Sequence, residues 1–219
     1  SNKESVMQVE WYFDVISPFA YLQWVDLRQQ KDIPPIQPKP ILFAGLLGHH
    51  GNMGPAEIPS KRAYTYRYLT WLAKELDVPF QFPQAHPFNP LPLLRLCLAA
   101  ENTELAVDRV FNFVWRHGQL PNNSTAMSNL AQELGIDDWS NTVAQPQYKE
   151  ALKANTSEAI EKGVFGVPTL WVDGHMFWGQ DSSEMFLDYL RDPELFENDE
   201  MQRVSELPVS THRKPTSNH

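Results

Sequence analysis

The sequence predicts an α/β fold interrupted by a large all-helical insertion. Three observations point there. Val9, Trp11, Phe13 and Val15 alternate at strand period and lead into a helical stretch at 18–30. A long helical region follows a second strand candidate at 36–42. Strand chemistry then returns at Thr169–Val172, where Asp173-Gly174 is a hairpin turn signal and 176–178 the partner strand. The order is β-α-β, helical insert, β-β-α.

Each element has a local cause. The first strand covers 8–16. Ser17 is a good N-cap and Pro18 suits the first helical position, so the first helix runs over 18–30. Prolines at 34, 35, 38 and 40 punctuate the second strand candidate and count against it, because each removes a ladder donor. The stretch 45–59 is rich in glycine and proline and reads as a loop. A helix over 60–77 places Leu69, Leu72 and Leu76 on one face, and 79–87 is a second loop. Asn89-Pro90 opens a helix through 101. Thr103 opens another, with Val107, Val110 and Val114 along one side and Gly118 at its end. Ser124 starts a shorter one ending at Gly135, and 146–162 is the last of the insert, stopped by Gly163. Asp181-Ser182-Ser183-Glu184 resembles a capping box, and its helix carries Met185, Phe186, Tyr189 and Leu190. Beyond about 196 the chain is polar without periodicity, and 197–219 reads as a flexible tail or weakly docked arm.

Composition narrows the function classes. The formal charge of −9 argues against a basic face for nucleic acid. No apolar run is long enough to span a membrane. Ser1-Asn2-Lys3-Glu4-Ser5 lacks the apolar core of a signal peptide, and the single cysteine, Cys97, forbids an internal disulfide; both fit a cytoplasmic protein. Cys97 sits in an apolar stretch and reads as a buried core thiol. His49, His50 and His86 have no carboxylate at familiar ligand spacing, so no metal site is expected. No G-x-S-x-G elbow and no glycine-rich phosphate loop is present.

The turn Asp14-Val15-Ile16-Ser17-Pro18-Phe19-Ala20-Tyr21 occupies the place where a thioredoxin-type domain carries Cys-x-x-Cys, with Ser17 and Ala20 at the two cysteine positions. Gly166-Val167-Pro168-Thr169 matches the proline loop that faces that turn. With Gly51-Asn52-Met53-Gly54-Pro55, Phe88-Asn89-Pro90-Leu91 before Arg95, and Phe177-Trp178-Gly179-Gln180-Asp181, these blocks span about 8–191. Together they resemble the kappa-class glutathione transferases and the 2-hydroxychromene-2-carboxylate isomerases, within the DsbA-like branch of the thioredoxin superfamily. The resemblance implies a discontinuous thioredoxin-like domain (7–44 and 163–193) and a helical insertion domain (45–162); the polar C-terminal tail (197–219) lies outside the family core. It also implies a homodimer.

The resemblance supplies roles. A serine hydroxyl cannot exchange disulfides, but it can donate a hydrogen bond to a thiolate at a helix N-terminus. Ser17 would then be the catalytic residue and hold the glutathione sulfur. Val167 would pair by its backbone with the cysteine of glutathione across a cis bond to Pro168. Gln180 and Asp181 would meet the γ-glutamyl end, with Asp181 facing the ammonium. Asn52, Lys39 and Phe88 are candidates for substrate binding. Lys39 would meet a carboxylate. Tyr12, Phe43, Trp71, Phe88 and Trp178 are candidates for an aromatic pocket. Local readings stay open beside these: Ser17 and Asp181 as helix caps, 166–169 as a tight turn, Asn52 as turn chemistry, and Lys39 as a surface lysine. Three functions follow. One is a glutathione-dependent isomerase acting on an aromatic 2-hydroxychromene carboxylate in aromatic degradation. The second is a kappa-like transferase that releases a glutathione conjugate. The third is a non-catalytic DsbA-like domain that binds extended peptides.

Overall fold

The computed structural model describes residues 7–215. The leader reading of residues 1–5 therefore lies outside the described residues. Strand β1 (Val9–Phe13) leads through the 14–17 turn into α1 (Pro18–Gln29), then β2 (Ile36–Pro40). The insertion follows as α2 (Phe43–His50), a 3-10 turn at Pro55–Glu57, α3 (Pro59–Glu75), α4 (Leu91–Ala99), α5 (Glu104–Phe111), a π-helical turn at Asn112–Arg116, α6 (Ser124–Glu133), α7 (Trp139–Val143) and α8 (Pro146–Glu161). The chain closes with β3 (Thr169–Val172), β4 (His175–Trp178), a 3-10 turn at Gln180–Ser182, α9 (Ser183–Arg191) and α10 (Asp199–Ser205).

The sheet order is β2-β1-β3-β4. β1 and β2 are parallel, which requires the α1 crossover, whereas β3 is antiparallel to both β1 and β4. This is the predicted thioredoxin-like arrangement with a helical insertion. β2 sits at the sheet edge, where its prolines cost no ladder bonds on the open side. The pleat divides the core. Trp11 and Phe13 stack at 4.8 Å and face Trp24 of α1 and Phe111 of α5. Tyr12 points the other way, into a cluster with Ile41, Leu46, Ala159 and Val164.

Among the described residues, those up to Ser183 cluster as one compact unit, and a second begins at Glu184. Within the second, Asn198 caps α10 by accepting from the Met201 N–H at 3.0 Å, and Tyr189 stacks with Phe196 at 5.8 Å. The segment read as a flexible tail or weakly docked arm thus contains a capped helix.

Three further elements differ from the sequence reading. The glycine-rich loop predicted at 45–59 begins with α2, whose Leu46 is fully buried. Gly45 is there for proximity rather than flexibility: a Cβ on it would lie 3.0 Å from Thr156 Cγ2 of α8. Gly45→Ala is therefore expected to push α2 off α8 and lower Tm by several degrees in a melt, despite alanine's better helix propensity. The helix begun at Thr103 widens into a π turn over 112–116, and α7 was not anticipated. Both X-Pro bonds His86-Pro87 and Val167-Pro168 are cis; only the second was expected. Cys97 is fully buried, and burial pushes its thiol up to about 12. Among the described residues no helix is long and apolar enough to cross a membrane.

Candidate active site

The register of the sheet assembles the site. Tyr12 pairs with Thr169 in antiparallel sense, so the C-terminal end of β1 and the loop before β3 meet at the same end of the sheet. The 14–17 turn and the Val167-Pro168 loop are neighbours for that reason. A third segment joins through backbone bonding: the Gly179 N–H donates to the Pro168 carbonyl at 2.8 Å. This brings Gln180 and Asp181 beside them.

Ser17 caps α1. Its backbone is extended (φ −94°, ψ 113°), and its Oγ accepts the Ala20 N–H at 3.2 Å. It is 9% exposed. Accepting that bond leaves the hydroxyl hydrogen free to donate, and no acceptor takes it among the described residues. The residue combines a donor with the partial positive charge of a twelve-residue helix. Ala20, at the second cysteine position, is fully buried.

Val167 is half-buried and lies outside β3. Among the described residues no protein group bonds its backbone N–H or C=O, so both are available to an added extended segment. The loop is packed from behind. Thr169 Oγ1 donates to the Gly166 carbonyl at 2.7 Å, and a Cβ on Gly166 would lie 2.5 Å from Trp178 Nε1. Gly166→Ala is expected to displace the Trp178 indole or the proline loop, lowering Tm in a melt, whereas Trp178→Ala in the same chain should rescue much of the loss.

Asp181 is exposed, and its carboxylate has no partner among the described residues. Its Oδ1 would lie 2.8 Å from a Cβ built on Gly179, whose φ of 93° is a second reason for glycine there. Gln180 is half-buried beside it.

Four residues that the sequence reading gave no role hold these segments in place. Asp14 is 1% exposed. Its Oδ1 accepts the Ile16 N–H at 3.0 Å and its Oδ2 the Phe43 N–H at 2.9 Å. One carboxylate thus clamps the Ser17 turn to the N-terminus of α2, whose own N-cap, Leu42, offers no side-chain bond. Burial raises Asp14 to about 7, against the lowering effect of its two N–H donors. Gln23 is fully buried. It accepts from Trp11 Nε1 at 2.8 Å and donates to the Gly179 carbonyl and to Ser183 Oγ, both at 3.0 Å. His86 Nε2–H donates to the Ile16 carbonyl at 2.7 Å, which leaves Nδ1 to accept from the Tyr66 hydroxyl at 2.5 Å. Burial lowers its pKa, which suits the neutral tautomer that this pairing needs. Trp115, placed by the π turn, donates to the Val15 carbonyl at 2.8 Å. The insertion therefore grips the turn from His86 and Trp115. A signal existed for Gln23 and Asp14: each is polar inside a run of core positions.

The remaining predicted residues scatter. Phe88 is half-buried, 6.0 Å from the His86 ring, and so reaches the site through that histidine. Asn52 is exposed on the loop after α2, its N–H bonded to the Leu47 carbonyl. Lys39 is neither free nor solvated. It pairs with Glu10 at 2.8 Å and Glu158 at 2.7 Å, in a cluster completed by Tyr12 and Lys162 on the α8 face. Its charge is neutralised within the fold, which leaves no unpaired cation there for a substrate carboxylate. Tyr12 and Phe43 belong to that same interior, whereas Trp71 and Trp178 are 55% and 54% exposed. The five aromatics do not form one pocket. Among the described residues no group of three His, Cys, Asp or Glu could hold a metal.

Comparison with known proteins bears on the family and the fold. The family model of the DSBA-like thioredoxin domain matches residues 8–191. A 2-hydroxychromene-2-carboxylate isomerase of Pseudomonas putida is 31% identical over 186 residues, 80% of this chain and 90% of the relative. Glutathione s-transferase kappa 2 of Caenorhabditis elegans is 28% identical over 207 residues, 84% of this chain and 92% of its own. The solved structure of a 2-hydroxychromene-2-carboxylate isomerase superposes with a TM-score of 0.75 at 26% identity, covering 91% of this chain and 98% of the other. Both kinds of relative are enzymes. A match along nearly the whole thioredoxin-like portion, with a serine where the redox pair would start, places the chain in the DsbA-like thioredoxin family, in the branch of the 2-hydroxychromene-2-carboxylate isomerases and kappa glutathione transferases.

Proposed function

We propose that the protein is a glutathione-dependent enzyme and that its reaction is an isomerisation of the 2-hydroxychromene-2-carboxylate type. The observation that carries the reading is the spare O–H of Ser17 at the N-terminus of α1, beside an unbonded Val167 backbone. The donor set fits glutathione. Val167 N–H and C=O match the cysteine backbone, the free Asp181 carboxylate matches the γ-glutamyl ammonium, and Ser17 O–H matches the thiolate.

Glutathione, held by Ser17, Val167 and Asp181, would supply a thiolate nucleophile that adds reversibly to an electrophilic carbon of the substrate and is not consumed. The protein's part is to lower the cost of the thiolate and to fix its direction. Ser17 donates to the sulfur, the α1 terminus adds partial positive charge, and Val167 fixes the distance. Asn52 and Phe88 are the residues proposed to meet the substrate. A transferase reading uses the same site and has the kappa-class relative in its favour. We further read the chain as a cytoplasmic homodimer.

Calorimetric titration of glutathione into the wild type and Ser17→Ala tests the site. Binding by the wild type, with thiolate absorbance lost in the variant, supports it. No binding at millimolar glutathione would leave the peptide-binding reading. The fate of glutathione then separates the chemistries: a constant concentration during turnover means isomerase, stoichiometric loss means transferase.

A further inference from the structure

The peptide that carries the Ser17 nitrogen is held on both of its polar edges. The Ser17 N–H donates to the Asp14 carbonyl at 3.1 Å, and the Ile16 carbonyl accepts from His86 Nε2 at 2.7 Å. That peptide plane sets the φ of Ser17, −94°, and φ directs the bond from Cα to the hydroxyl-bearing Cβ. A tilt of the plane therefore turns the hydroxyl away from an atom seated at the helix start. The Asp14 bond is made within the turn itself. The His86 bond comes from the 79–87 loop and depends on which ring nitrogen carries the proton.

Two residues of α3 settle that proton. Arg62 and Tyr66 stand one helical turn apart, so both reach the same loop. The Tyr66 hydroxyl meets His86 Nδ1 at 2.5 Å and lies 3.0 Å from the His86 carbonyl. Arg62 donates to that carbonyl at 2.8 Å, its guanidinium 4.9 Å from the centre of the Tyr66 ring. With the carbonyl engaged, Nδ1 is the better acceptor for the hydroxyl, and the ring hydrogen stays on Nε2. The other tautomer would set the Nε2 lone pair against the Ile16 oxygen. Phe82, Phe88 and Trp115 close around the imidazole at 6.5, 6.0 and 5.4 Å, and the charge beside it is that of Arg62. Among the described residues no carboxylate bonds to Arg62, Tyr66 or His86.

We propose that His86 is a positioning residue for the thiol: Tyr66 and Arg62 hold it as the Nε2–H tautomer, it fixes the Ile16–Ser17 peptide, and that peptide aims the Ser17 hydroxyl at the glutathione sulfur. This rests on the thiol-site reading, because the hydroxyl is the group being aimed. His86 acts through Ser17 and not on glutathione. It should therefore change the ionisation of a bound thiol without changing how the rest of the tripeptide is held, since Val167 and Asp181 carry that binding from other segments.

The test uses the full chain with Tyr66→Phe, His86→Leu and His86→Gln, and Tyr66→Phe again in the Ser17→Ala chain. Nitrogen NMR reads the imidazole tautomer, and thiolate absorbance reads the ionisation of bound glutathione. Calorimetry with S-methylglutathione reads the binding of a tripeptide that has no thiol. Wild type should show His86 as Nε2–H, and Tyr66→Phe a mixture of tautomers. Tyr66→Phe and His86→Leu should each lower the bound thiolate fraction near neutral pH by about two- to tenfold, the worth of one hydrogen bond. His86→Gln should keep most of it, since its amide N–H can reach the Ile16 carbonyl. S-methylglutathione affinity should match wild type in all three. In the Ser17→Ala chain, Tyr66→Phe should have no further effect on the thiol, because the group being aimed is gone. An unchanged thiolate fraction in Tyr66→Phe overturns the positioning role and leaves the thiol site standing. So does an equal effect of Tyr66→Phe with and without the Ser17 hydroxyl. Loss of S-methylglutathione binding in step with the thiolate also overturns it, and would make His86 a structural support only. A wild type that binds S-methylglutathione without lowering the glutathione pKa removes the thiol-site reading and the positioning role together. Tyr66→Phe deletes a single hydroxyl, so it decides the matter even where His86→Leu fails to fold.

Discussion

Ser17→Ala is expected to give a folded protein whose bound glutathione ionises poorly. A hydrogen bond to a charged group contributes about 1.5–3 kcal/mol. Its loss should raise the thiol pKa by about one to two units. At neutral pH, turnover should fall about ten- to hundredfold, in step with the lost thiolate fraction. Raising the pH should recover much of it, because the less stabilised thiolate is also the better nucleophile. Stability should drop by only about 1 kcal/mol, the usual cost of removing an N-cap side chain, here the acceptor of the Ala20 N–H. Ser17→Cys is the complementary variant. It puts a thiol at the same helix terminus with no second cysteine in reach, since Ala20 holds that position. With oxidised glutathione its thiolate should attack one disulfide sulfur and expel the other half as glutathione thiolate. The resulting mixed disulfide should persist, visible by mass spectrometry. A flat pH comparison between wild type and Ser17→Ala would remove the thiolate role and leave Ser17 as a cap.

The parts of this architecture that were legible in the sequence are those with local causes. Ser17-Pro18 is a helix start that can be read from two residues, and Ser17 does cap α1; its proposed chemical role came from the resemblance alone. Asp173-Gly174 forms the expected turn, with both residues at positive φ, 51° and 80°. The parts that were not legible depend on partners far along the chain. Asp14 acts on Phe43, 29 residues away, His86 on Ile16, 70 away, and Gln23 on Gly179, 156 away. No period or spacing encodes such pairs. Helix α2 was hidden for the same reason. Its glycines look like breakers, and what holds it is Leu46 in a core cluster and a capping carboxylate from another element. Lys39 was misplaced because its carboxylate partner Glu158 lies on α8, 119 positions later.

Asp14 carries the second large effect, and its sign depends on pH. Asp14→Ala strands the buried N–H groups of Ile16 and Phe43, at about 1–3 kcal/mol each. It should loosen the Ser17 turn and the start of α2 together, so activity and stability fall in one variant. Asp14→Asn is more informative. Its amide, like a protonated carboxyl, offers one acceptor oxygen to two N–H donors, so it mimics the acid form. With a folded pKa of about 7, the folded chain keeps a proton that the unfolded chain releases near pH 4. Between those values rising pH removes stability, in total by about 4 kcal/mol at 1.36 per unit. The asparagine variant lacks this loss. It should match wild type at pH 4 and exceed it at pH 8. Buried His86 works in the opposite direction: its lowered pKa means stability falls as pH drops below the ordinary histidine value near 6.5. Both proteins carry His86, so subtracting their urea-derived stabilities across pH 4–8 isolates Asp14. A difference that grows with pH in favour of asparagine confirms a carboxyl held by burial. A difference that grows in favour of wild type would mean that the two N–H donors outweigh burial and that Asp14 works as a permanently ionised clamp.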